Sequence, residues 1–177
     1  MTTDDMIEEI EDLEPALPRA LVVLAEGAEE AEAVIIIDVL RRAGIDVVIA
    51  SLGADTVVQC SRKVRIAADL TLAAVTGNFD ALVLPGGAEG ARRLAASEQV
   101  GERLRAHSKD GRLVAAICAA PLAFQAHQVF AGRSMTCSPT VASRIAMYGK
   151  LERGAVVEDG NLITSQGPGT SFLFALA

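Results

Sequence analysis

Short apolar runs alternate with amphipathic stretches along most of this chain. Ala20-Leu-Val-Val-Leu24 is apolar throughout, and Asp80–Leu84 and Leu113–Ile117 have the same character. Such runs fit strands buried on both faces of a parallel sheet. Between them the pattern predicts a helix over Glu29–Ala43, stopped at Gly44. It predicts a strand over Ile45–Leu52 and a hairpin from Val57–Cys60 and Val64–Ile66. Two helices are expected near Gly90–Ala96 and Glu98–Lys109, then a strand at Arg133–Thr136 and a helix at Thr140–Met147. Val156–Thr164 reads as a hairpin turning at Asp159-Gly160. Gly169-Thr170-Ser171 reads as the cap of a last apolar helix from Phe172. Strand–helix alternation of this kind implies an open, mostly parallel sheet.

Such sheets bind ligands outside the carboxyl ends of their strands. Three loops should therefore meet: the exit of the first strand after Leu24, Pro85-Gly86-Gly87, and the turn at Cys118. Cys118 follows an apolar strand and stands three residues before Pro121, which opens a helix. Ala116 and Ala120 supply the small flanks that a sharp nucleophile elbow needs. Proximity to a helix's positive pole is expected to favour thiolate. A free cysteine often only fills core. Its place in the expected cleft is what favours chemistry here.

Glu26, Glu29, Glu30 and Glu32 crowd the first helix start. Most of them read as a solvated terminus stabilised by the helix dipole. Glu32 shares a face with Ile35 and Ile36, so its carboxyl is expected to point into the cleft. Beside a thiolate it would keep its proton, and the two would titrate as a coupled pair. It could then donate to sulfur or move protons on a substrate. Backbone N–H groups at Gly86-Gly87 and after Cys118 could hold an oxyanion. A Cys-His pair is not expected. His127 lies nine residues past Cys118, roughly 13 Å along a helix, and His107 belongs to the far end of the elbow strand.

Bulk properties narrow the partners. The 177 residues suffice for one domain, with 51% hydrophobic and 3% aromatic residues. A net charge of −7 argues against nucleic acid and anionic membrane surfaces. No apolar run approaches the ~18 residues of a span. Residues 1–19 read as an acidic, partly disordered extension, wrong in charge for a signal or transit peptide. Residues 20–177 read as one domain whose last helix stops short. Three cysteines, Cys60, Cys118 and Cys137, match no zinc or disulfide framework, so free thiols in the cytoplasm are expected.

Five segments carry a resemblance: Ala20–Glu32, Val58–Arg62, Val83–Gly87, Ala115–Pro121 and Thr164–Phe172. Through them the chain resembles the ThiJ/PfpI superfamily, in the clade of the Parkinson-disease-associated protein deglycase. The resemblance implies an α/β fold, a flavodoxin-like three-layer sandwich with a mostly parallel sheet and helices on both faces. It implies a homodimer and cofactor-free, metal-free chemistry on methylglyoxal, glyoxal or early glycation adducts. Cys118 becomes the oxidisable thiol and Glu32 its hydrogen-bond partner. Gly86, Gly87 and Ala119 become backbone donors, with Arg62, and Arg42 from the dimer mate, as basic groups nearby. Two substitutions depart from the clade. Ser138 stands where a histidine is frequent, and a serine cannot act as base near neutral pH. Gln166 stands where some members carry arginine. Cys137, beside Ser138, is a candidate resolving thiol for an oxidised Cys118. These features give two functional expectations. One is a cysteine-dependent glyoxalase or deglycase. The other is a redox-sensing, chaperone-like protein whose cysteine becomes a sulfinate without turnover. A scaffold with degraded function is the plainest alternative.

Overall fold

The computed structural model describes residues 17–177, so most of the acidic extension lies outside the described residues. The elements run β1 (Arg19–Leu24), α1 (Glu30–Arg42), β2 (Asp46–Ser51), β3 (Val57–Gln59), β4 (Arg65–Ala67) and β5 (Leu70–Thr71). Then come β6 (Ala81–Leu84), α2 (Ala88–Ala96), α3 (Glu98–Asp110), β7 (Leu113–Ile117), α4 (Leu122–His127) and β8 (Ser134–Met135). The chain closes with α5 (Ala142–Ala146), β9 (Lys150–Leu151), β10 (Val156–Asp159), β11 (Leu162–Ser165) and α6 (Ser171–Leu176).

Seven strands form one sheet in the order β10-β11-β7-β6-β1-β2-β5. Every neighbour pair is parallel except β10 with β11. Alternate side chains divide the core into two apolar layers. Leu21 and Val23 of β1 face Leu94, Leu104, Phe124 and Ile145, contributed by α2 to α5. Ala20, Val22 and Leu24 face Ile36, Ile37 and Phe174, contributed by α1 and α6. The expected three-layer sandwich is the observed one.

Position follows from this topology. The order of the sheet reverses between β1 and β6. α1 leaves β1 toward one face and α2 leaves β6 toward the other. Their departure opens a crevice at the carboxyl ends of these strands, the usual ligand position in a doubly wound sheet. β7 ends beside it, because Leu84 of β6 is in register with Ala116.

Some details differ from the sequence expectation. β5 and β9 were not anticipated; each has two residues, too few for a pattern. The strand expected over Arg133–Thr136 is present, shortened to Ser134–Met135. Arg19 belongs to β1 rather than to the extension. The expected hydroxyl cap of the last helix is not made. Thr170 occupies the N-cap position, but its Oγ1 accepts from the Gly167 amide and lies 2.7 Å from Ser165 Oγ.

Candidate active site

Cys118 follows β7 directly with φ at 64°, a left-handed conformation that costs energy in any residue with a side chain. Three contacts hold it there. Its amide donates to Ser165 O at 3.0 Å, and its carbonyl accepts from the Ser138 amide at 2.7 Å. From below, Gly86 admits it: a Cβ on Gly86 would lie 2.5 Å from Cys118 Cβ and 2.8 Å from Glu32 Oε2. Nucleophile and carboxyl therefore meet across a position that only glycine can occupy.

Glu32, on the first turn of α1, is fully buried. The Gly86 amide donates to its Oε2 at 2.7 Å, while Oε1 meets no nitrogen or oxygen partner. Burial pushes its pKa up to about 7, against the Gly86 amide and the hydrogen bond with the Cys118 thiol, and the charge of Glu29 adds to the rise. The same burial, then the Glu32 charge, pushes the Cys118 thiol up. Amides of Gly87 and Ala119 donate to the sulfur and oppose that rise.

This corrects the expected thiolate. α4 has only six residues and begins at Leu122, so its end does not outweigh burial beside a carboxylate. The carboxyl is the second influence on the sulfur, after burial. A proton on Glu32 removes the opposing charge and supplies an O–H donor to sulfur. The amides of Gly87 and Ala119 then favour the thiolate against burial alone.

Above Cys118 lies an open cleft of about 590 Å³, lined by Gly87, Ala119, Ser138, Arg62 and Pro168 among others. Glu32 lies behind the sulfur rather than on the cleft wall. Gly86 differs from expectation. Its amide is committed to Glu32, which leaves Gly87 and Ala119 as the donors at the sulfur. Ser138 is buried, with Oγ 2.8 Å from Thr140 Oγ1. Arg62 sits on the rim, its Nη1 only 3.4 Å from the neighbouring Ser61 carbonyl. Arg42 lies ten residues along α1 from Glu32, roughly 15 Å away, and pairs with Asp38 at 2.8 Å. Within one chain it does not reach the cleft.

The other candidates separate. Cys137 packs into the layer of α2 to α5, whereas Cys118 packs against the opposite layer. Burial raises the Cys137 thiol to about 11. His127 lies with Nε2 3.2 Å from Leu94 O, and His107 with Nδ1 2.9 Å from Arg103 O, so both rings serve packing. Gln166 is held by the carbonyls of Arg153 and Gly154. Ser61 and Thr140 also line the cleft and escaped the sequence reading. Ser61 bridges Glu29 and Glu30 at 2.9 Å each, and its only signal was adjacency to Arg62. Among the described residues no cluster of three metal-ligating side chains occurs, and no helix is long and apolar enough to cross a membrane.

Comparison with known proteins agrees with this fold. The sequence profile of the DJ-1/PfpI family matches residues 18–177. Protein dj-1beta of Drosophila melanogaster is 48% identical over 159 residues, covering 89% of this chain and 85% of its own. A Caenorhabditis elegans protein named glutathione-independent glyoxalase DJR-1.2 is 40% identical over 161 residues, covering 89% and 84%. The crystal structure of Drosophila melanogaster DJ-1beta superposes with a TM-score of 0.89 at 47% identity, covering 90% of this chain and 87% of that one.

Proposed function

This chain belongs to the DJ-1/PfpI family, and from that premise we propose that it is a cofactor-free, cysteine-dependent glyoxalase or deglycase. The observation that carries the reading is the meeting of Cys118 with the buried Glu32 carboxyl across Gly86. The relative named a glutathione-independent glyoxalase supports it. Substrates are methylglyoxal, glyoxal or the early adducts they form on amines.

In this reading the Cys118 sulfur adds to the aldehyde carbon and the carbonyl oxygen takes up a proton, giving a hemithioacetal. Glu32 removes the proton from that carbon and returns it to the neighbouring one, through an enediol. The result is a thioester of the 2-hydroxy acid. Water cleaves it, releasing lactate from methylglyoxal and restoring the thiol. Amides of Gly87 and Ala119 steady negative charge on sulfur and on the adjoining oxygen. Ser138 contributes a hydrogen bond but no base. The working unit is a homodimer in the cytoplasm, in which Arg42 of a second copy approaches the rim. The test is lactate production by purified protein in thiol-free buffer. Wild type should turn over, Cys118→Ser should not, and wild-type turnover in both Cys118→Ser and Glu32→Gln would defeat the reading.

One observation favours a second reading. Ser138 cannot serve as base where relatives of this clade frequently carry histidine. Peroxide would then oxidise Cys118 to a sulfinate, stabilised by a hydrogen bond from protonated Glu32, and the oxidised protein would act as a sensor or holdase. Mass spectrometry after mild peroxide decides it. An unmodified Cys118 would rule this reading out.

A further inference from the structure

Thr140 has no role in the chemistry above, yet its side chain lines the cleft and its only hydrogen-bond partner among the described residues is Ser138. The two hydroxyl oxygens lie 2.8 Å apart. In addition, the Thr140 amide donates to Ser138 Oγ at 3.3 Å. Ser138 is itself fixed to the nucleophile, its amide donating to Cys118 O at 2.7 Å.

A serine hydroxyl has one proton and two lone pairs. The Thr140 amide takes one lone pair. If Thr140 Oγ1 donates as well, both lone pairs are occupied and the Ser138 proton must find another acceptor. The cleft above Cys118 is the direction left open. In the function proposed above, the oxygen of an aldehyde carbon bonded to Cys118 is held by the Gly87 and Ala119 amides. Only a substrate with a second oxygen on the neighbouring carbon can use a further donor.

We propose that Thr140 is a positioning residue that makes the Ser138 hydroxyl a dedicated hydrogen-bond donor to the second oxygen of a dicarbonyl, so that the cleft selects 2-oxoaldehydes over simple aldehydes. The proposal rests on Cys118 adding to aldehydes, as in the function proposed above. It does not require turnover. A buried donor left without an acceptor costs binding energy, which is how a polar site rejects a substrate lacking the matching group.

The experiment compares reversible adducts at Cys118 with methylglyoxal and with propanal, by intact-protein mass spectrometry across aldehyde concentration. Lactate release is measured in parallel. Wild type should prefer methylglyoxal. Thr140→Val should lose about 10-fold of that preference, with propanal unchanged and with any loss of turnover appearing in KM rather than kcat. Thr140→Ser, which keeps the hydroxyl, should restore it. Ser138→Ala should lose the preference too, and adding Thr140→Val to it should change nothing more. Adducts without lactate would defeat the turnover reading and leave the preference measurable. Equal preference in wild type and Thr140→Val, or no adduct with either aldehyde, would overturn the proposal.

Discussion

The amide of Gly86 donates to Glu32 Oε2 across 2.7 Å, joining a loop and a helix separated by 54 residues. This bond fixes the carboxyl at the sulfur while leaving its other oxygen for the proton that matters. It also places the site's titration on Glu32, with consequences that can be measured.

Glu32 should make stability fall as pH rises toward neutrality. Its folded pKa is about 7 against an ordinary 4.5. Between those values the folded state binds more protons than the unfolded one, so unfolding becomes easier as pH rises through that window. The full penalty, up to about 3 kcal/mol, is present above pH 7. Glu32→Gln cannot ionise. Its denaturation midpoint should match wild type near pH 4.5 and exceed it at pH 8. A pH-independent difference would contradict the burial argument.

Reactivity and turnover should move in opposite directions in that variant. The Glu32 charge is one of the groups raising the Cys118 thiol. Without it, iodoacetamide should alkylate Cys118 faster at pH 8 than in wild type. Lactate formation should still drop by about 10²–10⁴-fold, the span usual for a lost general acid–base group. Slower alkylation in Glu32→Gln would show that the carboxyl activates the sulfur rather than restraining it.

Gly86→Ala should damage fold and site together. The new methyl would sit 2.5 Å from Cys118 Cβ and 2.8 Å from Ile117 O, and neither belongs to a flexible side-chain end. A loss of about 1–3 kcal/mol is expected from overpacking, with alkylation of Cys118 altered as well. Urea unfolding followed by thiol titration reads both.

Gly101→Ala is the contrasting case. Its Cβ would meet His127 Nδ1 at 2.4 Å, where α3 packs on α4. Stability should fall by about 1–3 kcal/mol, with alkylation of folded Cys118 unchanged. An altered alkylation rate would tie His127 to the site rather than to packing.

Much of this architecture was legible in the sequence. The apolar runs of β1, β6 and β7 and the Asp159-Gly160 turn identified their elements within a residue or two, because burial on both faces and a tight turn demand those residue types. Cys118 and Glu32 were legible because each stood at a strand exit or a helix start. What the sequence could not display was burial. The dipole argument made the Cys118 thiol acidic, and the packed surroundings reverse that sign. Gly86 is similar. A glycine pair suggested free amides, whereas one amide is spent on a carboxyl 54 residues away. Cys137 looked near Cys118 through its neighbour Ser138, yet it packs into the apolar layer on the other face of the sheet.

The strained backbone of Cys118 is tied to Ser165 and Ser138, 47 and 20 residues further along. During synthesis neither tie exists until those segments have left the ribosome, and β11 must pair with β7 before the first can form. A nascent chain therefore carries an ordinary, unshaped thiol until both segments have emerged and paired. Reactivity at this cysteine is in that sense a report on folding: only a molecule that has made both ties holds the sulfur in working form.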